Sequence, residues 1–169
     1  MAFGTTAAGT ITKEQTLHSI RRLPIAASTT ITKGQVVELN VQGFLITSPT
    51  TQTDNIPHYV ALETVDNSSG SAGDLYAPCA VKGHFVTVTA DGAIDAGEQV
   101  KVSGSTAGQV VQASHGTDDK SLVVGIYWGK EGGTVAKGSS TPYLESFTDS
   151  ADYSPADAAD GDVIEIELV

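Results

Sequence analysis

The chain has 169 residues, of which 40% are hydrophobic and only 17% charged, with 18 glycines. That is one domain's worth of chain, long enough to bury about two-thirds of its unfolded surface. Abundant Gly, Thr, Ser and Ala in place of Glu, Lys, Arg and Leu favours strands and turns over helices. The formal charge of −11 argues against nucleic-acid binding, because phosphate contacts need clustered Lys and Arg.

The charge is uneven. Residues 1–44 carry Lys13, Arg21, Arg22 and Lys33 against Glu14 and Glu38, whereas from Gly138 onward there are eight acids and no Lys or Arg. An acidic, solvated surface is the simplest meaning, and a weakly basic leading segment suits contacts with an acidic partner or another copy. The single cysteine, Cys79 in LYAPCAVKG, excludes an internal disulfide and reads as a buried small hydrophobe. No basic segment followed by an apolar run opens the chain, so no secretory signal is expected. No window approaches the ~18 apolar residues of a membrane span.

Residues 1–22 lack a sustained period of 2 or 3.6 and read as an extended arm ahead of one β domain over 23–169. QVVELN (35–40) and VQGFLITS (41–48) predict a hairpin about Gln42-Gly43, and PTTQTDNIP (49–57) a polar loop. HYVALETV (58–65) predicts one strand and DNSSGSAGD (66–74) a turn or mobile loop. LYAPCAVKGHFVTVTA (75–90) holds two strands, QVKVS (99–103) and VVQAS (110–114) one each. The nearly continuous apolar run in SLVVGIYWG (121–129) predicts a central, buried strand. About 130–157 reads as a long loop or insertion, and DVIEIELV (162–169) as a closing strand that returns to a sheet. The predicted fold is a compact all-β barrel or sandwich with few or no helices.

One short phrase recurs. ITKGQVVEL (31–39), IDAGEQVKV (94–102) and DGDVIEI (160–166) share it, and AGDLYAP (72–78) is a looser copy. Gly34, Gly73, Gly97 and Gly161 are expected at positive φ, delivering the chain into a strand, and the following acid or amide to bond a nearby backbone N–H. A duplicated barrel and independent convergence on a good turn both fit this spacing, and neither needs a ligand.

Motifs for chemistry are scarce. His18, His58, His84 and His115 show no metal-ligand spacing and read as surface or loop residues. Asp149, Asp152, Asp157, Asp160 and Asp162 lack the order of a calcium loop. There is no nucleophile elbow, phosphate-binding loop or dinucleotide fingerprint, so neither catalysis nor a cofactor or metal is expected. Trp128 beside Tyr127 could line a sugar site, although anchoring of the sheet or an intersubunit contact is the stronger reading.

The order of segments resembles the small capsid decoration (cement) proteins of tailed bacteriophages and related archaeal viruses. The residues that carry this run from IAASTTITKGQVVELN through AVKGHFVTVTADGAIDAGEQVKVS to GQVVQAS and LVVGIYWG, with the acidic-apolar strand at 158–169. The loop at 49–57 and the stretch 130–157 depart from the compact pattern. The resemblance implies a β-tulip-like, head-stabilising protein of the virion, made in the host cytoplasm. It would bind the major capsid protein on the outside of the assembled shell as a homotrimer, with no membrane or nucleic-acid partner. The arm would then lie along the shell or a neighbouring copy, and its chemistry nominates Phe3, Ile11, Leu17, Ile20, Arg21 and Arg22 as contacts. A carbohydrate- or host-surface-binding β-module of a virion, using Tyr127, Trp128 and the aromatics Tyr143, Phe147 and Tyr153, is the alternative.

Overall fold

The computed structural model describes residues 8, 11–13 (backbone), 20–50, 57–114, 118, 122–129 and 157–169. Their strands are short: β1 (Ile11–Lys13), β2 (Arg21–Pro24), β3 (Thr29–Ile31), β4 (Val36–Leu39), β5 (Leu45–Thr47), β6 (Tyr59–Ala61), β7 (Val65–Asn67), β8 (Tyr76–Ala80), β9 (Phe85–Thr89), β10 (Gln99–Val102), β11 (Val110–Gln112), β12 (Val123–Tyr127) and β13 (Val163–Leu168). They form three antiparallel sheets: β1-β9-β13-β12-β10-β11, β2-β8-β6-β4-β5 and the ribbon β3-β7. The fold is all-β, as composition and turn spacing predict.

Comparison of the two large sheets resolves the recurring phrase. Remove β1, and the order β9-β13-β12-β10-β11 repeats β2-β8-β6-β4-β5 strand for strand. The registers match as well. Val37 faces Thr47 and Tyr59, and Val100 faces Gln112 and Gly125. Arg21 faces Cys79 as Val86 faces Ile166. Each sheet curls until its ends touch at one parallel bridge, Ile25 with Leu45 and Ala90 with Val110. The Gly34 N–H donates to Ala61 O and the Ala61 N–H to Gln35 O; the Gly97 N–H donates to Tyr127 O and the Tyr127 N–H to Glu98 O. The chain therefore contains one β unit twice, over about 20–80 and 85–168, and the phrase marks the same turn in each copy.

At these turns Gly34, Gly73, Gly97 and Gly161 have φ of 83°, 85°, 87° and 79°, a region that costs residues with a Cβ about 1 kcal/mol or more. The residue after three of them closes the turn: Gln35, Asp74 and Asp162 each accept, through the side chain, the backbone N–H three residues earlier, at 2.7–2.8 Å. The glycine supplies the conformation and its successor holds it.

Alternation fills two cores. Val86, Val88, Val100, Val110, Val124, Tyr127, Ile164 and Ile166 build the larger, which also takes in Val36, Val60 and Ala80 from the first unit. Ile25, Ile31, Val37, Leu45, Ala61, Ala77 and Cys79 build the smaller. The expected central strand is β12, between β13 and β10, and the closing strand β13 inserts between β9 and β12.

The structure bears on three expectations. The boundary at residue 22 runs through β2, whose Arg21 and Arg22 pair with Cys79 and Pro78 of β8. The single strand over 58–65 is two, β6 and β7, in different sheets; the chain turns between them, where Thr64 Oγ1 accepts the Lys33 N–H (3.0 Å). The expected hairpin about Gln42-Gly43 is β4–β5: Gly43 has φ of 84°, and Leu39 pairs with Leu45 across a five-residue loop. Asn40 organises it by accepting the Gln42 and Phe44 N–H groups, both at 3.0 Å. Of the stretch 130–157, expected as a long loop or insertion, residues 130–156 lie outside the described residues.

Candidate functional site

A cleft of about 640 Å³ opens where β2, the start of β6, the β8–β9 turn and the end of β13 converge. Arg21, His58, Lys82 and Glu167 supply its polar groups, and Tyr59 and Leu168 part of its apolar wall. Arg21 is placed by pairing with Cys79, and Glu167 by pairing with Ile126 and Phe85. Lys82 sits in the turn that His84 ties together, its Nδ1 lying 2.9 Å from Val81 O. Neither Arg21 nor Lys82 has an ion-pair partner among the described residues. At the lip, Trp128 is 57% exposed and its Nε1 donates to Glu167 Oε2 (3.1 Å). Ile20 and Val169, both nearly half exposed, adjoin the lining residues Arg21 and Leu168.

Behind the cleft lies a buried polar trio. His58 Nδ1 is 3.5 Å from Ser48 Oγ and 4.0 Å from Glu38 Oε2, and the His58 and Glu38 side chains are almost wholly enclosed. Burial disfavours the imidazolium and brings the His58 pKa down to about 4, so the ring is neutral at pH 7. Its Nε2 is buried and has no hydrogen-bond partner among the described residues. Serine, histidine and glutamate together evoke nucleophilic catalysis, but Ser48 and Glu38 approach the same ring nitrogen. A relay places the nucleophile on one nitrogen and the acid on the other, and Ser48 is fully buried.

His84 is fully buried, so of the expected surface or loop positions His58 and His84 take the loop, next to β6 and in the β8–β9 turn, with their side chains turned inward. The signal was present: His58 shares the parity of Val60, and His84 that of Val86 and Val88, all three valines fully buried. His18 and His115 lie outside the described residues. Cys79 is buried with its Sγ toward Ala77 O (3.6 Å), and burial pushes its pKa up to about 12, which leaves no thiolate.

The nominated arm contacts divide. Phe3 and Leu17 lie outside the described residues, and Ile11 stands opposite Val86 in β1. Ile20, Arg21 and Arg22 are exposed, and only Arg21 lines the cleft. Tyr127, nominated for a sugar site, is fully buried in the larger core; only Trp128 of that pair faces solvent. Tyr143, Phe147 and Tyr153 lie outside the described residues, as do Asp149 and Asp152. Asp157 accepts the Ala96 N–H (3.1 Å) and Asp162 closes its turn, so these carboxylates serve the backbone. No cluster of His, Cys, Asp or Glu among the described residues is arranged to hold a metal, and none of their helices is long and apolar enough to cross a membrane. Neither a family model nor a curated protein matches the chain.

Proposed function

We propose that the chain is a viral capsid decoration protein, which binds the outer surface of the assembled shell as a homotrimer and stiffens it. The observation that carries this reading is the order of its turn phrases: ITKGQVV before β4, VKGHF at the β8–β9 turn, IDAGEQV before β10, VVGIY as β12, and the acidic-apolar β13. An all-β fold accords with it. So does a leading segment that runs along sheet edges as β1 and β2 and presents Ile20, Arg21 and Arg22 to solvent. Many weak contacts repeated around a symmetric oligomer would then supply avidity. The role is structural, on the virion exterior, and assigns the chain no reaction.

The test is native mass together with co-sedimentation on expanded, undecorated capsids of the cognate virus. Trimers, or monomers that trimerise on the shell, and saturable pelleting are expected; no pelleting overturns the reading. One observation favours a second reading, a glycan-binding module of a virion: Trp128 is exposed and Glu167 fixes its indole. Binding on a glycan array without binding to capsids would select it.

A further inference from the structure

The duplication supplies an internal control for the cleft. Arg21 occupies the position that Val86 holds in the second unit, and His58 the position of Val124. Ser48 likewise corresponds to Ala113, one residue beyond the matched pair Thr47 and Gln112. Val86 and Val124 are buried and apolar. The same backbone thus closes on hydrocarbon in one copy and opens a polar cleft in the other. A buried imidazole nitrogen with no hydrogen-bond partner among the described residues costs stability relative to a satisfied one, and the fold does not require it at this position, where the second copy has Val124.

The second copy also shows what lies beside this strand. The outer edge of β9 is covered by β1, with Ile11 opposite Val86. The equivalent edge of β2 is open among the described residues, and its first residue, Arg21, lines the cleft. The chain has 20 acidic residues against 9 Lys and Arg, yet two cations without ion-pair partners among the described residues meet here. Val169, nearly half exposed, lines the same opening, and the exposed Trp128 is tied to its lining residue Glu167.

We propose that this cleft is a docking site for an extended, carboxylate-bearing peptide segment of a partner, lying beside β2 opposite Arg21 as β1 lies beside β9 opposite Val86. Arg21 and Lys82 take the carboxylate, His58 Nε2 offers a buried hydrogen-bonding position, and Val169 and Trp128 cover the apolar neighbours. Pro24, which has no N–H, limits pairing along this edge to the first residues of β2. Glu167 anchors the indole and repels a second carboxylate, so one acid flanked by apolar residues fits better than a polyacidic tract. The volume is that of a site for a few side chains. This assignment rests on the cleft's own chemistry and holds whether or not the chain binds a viral shell.

Trp128 is the only tryptophan, so its fluorescence reports the site in the intact chain. The probe is acetyl-Thr-Leu-Asp-Val-Thr-amide, compared with the same peptide carrying Asn for Asp. A saturable change with the Asp peptide is expected, about tenfold weaker with the Asn peptide and about tenfold weaker for the double variant Arg21→Gln, Lys82→Gln. Both residues are exposed, so the variant keeps the fold, which circular dichroism checks. Absence of a saturable change, equal binding of the two peptides, or an unaltered double variant overturns the proposal. Displacement of the peptide by an equal concentration of inorganic phosphate overturns it too, by showing a general anion site.

Discussion

The two copies of the β unit share strand order, register and turn glycines, and differ in what they bury. The second closes on Val86, Val124, Ile164, Ile166 and the fully enclosed Tyr127. The first has Arg21, His58, Cys79 and Ala61 at the positions of Val86, Val124, Ile166 and Tyr127, and its own core is smaller. It also lends Val36, Val60 and Ala80 to the larger cluster. The contrast separates two duties that single-copy folds mix. The second copy provides most of the apolar burial, at about 1.5–3 kcal/mol per large side chain, and the first, leaning on it, carries polar groups that cost stability.

If the second copy is the main source of stability, the largest effect belongs to its largest buried side chain. Tyr127→Ala gives it the residue of its counterpart, Ala61, and should cost about 3–5 kcal/mol, read as a fall in the urea midpoint. A loss below about 1 kcal/mol would break the asymmetry.

The next effect concerns the first copy and depends on pH. His58 has a folded-state pKa of about 4 against 6.5 for the free side chain, so the unfolded chain takes up the proton first. Its neutral form therefore favours folding fully above pH 6.5, and that contribution is lost as pH falls from 6.5 to 4, by about 3 kcal/mol at most. His58→Val, which installs the counterpart residue, should flatten stability across that window while other groups keep their slopes. Equal slopes for the two proteins would place the titration elsewhere.

The smallest effect is at the matched pair Glu38 and Lys101. Lys101 Nζ lies 2.6 Å from Asp118 Oδ1 in a partly exposed pair, and the Lys101 contact holds the Asp118 carboxyl below its usual range. Solvent screens such pairs, so Lys101→Ala should cost no more than about 1 kcal/mol and less at high salt. A larger, salt-insensitive loss would mean that the second copy also depends on polar contacts.

Much of the fold is legible in local pattern. The four glycines, the alternation of FVTVT and VIEIEL, and the unbroken apolar run of β12 are local facts about φ and side-chain parity, and they predict turns and strands without knowledge of neighbours. The split between β6 and β7 was not legible, because what separates them is a contact from Lys33, far away in the chain. Nor was the cleft, whose residues come from four separate segments, although parity does point His58 inward. Spacing alone left duplication and convergence equally open; the matched hydrogen bonds of Gly34 and Gly97 with Ala61 and Tyr127 decide between them.

By itself, then, the sequence determined an all-β chain with glycine turns feeding alternating strands, since backbone conformation and facing are set within a few residues. Only the tertiary structure decided that those strands form one unit twice, that its two copies bury different chemistry, and that Arg21, His58 and Lys82 share an opening. Strand pairing joins residues tens of positions apart, and one residue's register shift would turn each of those side chains to the other face.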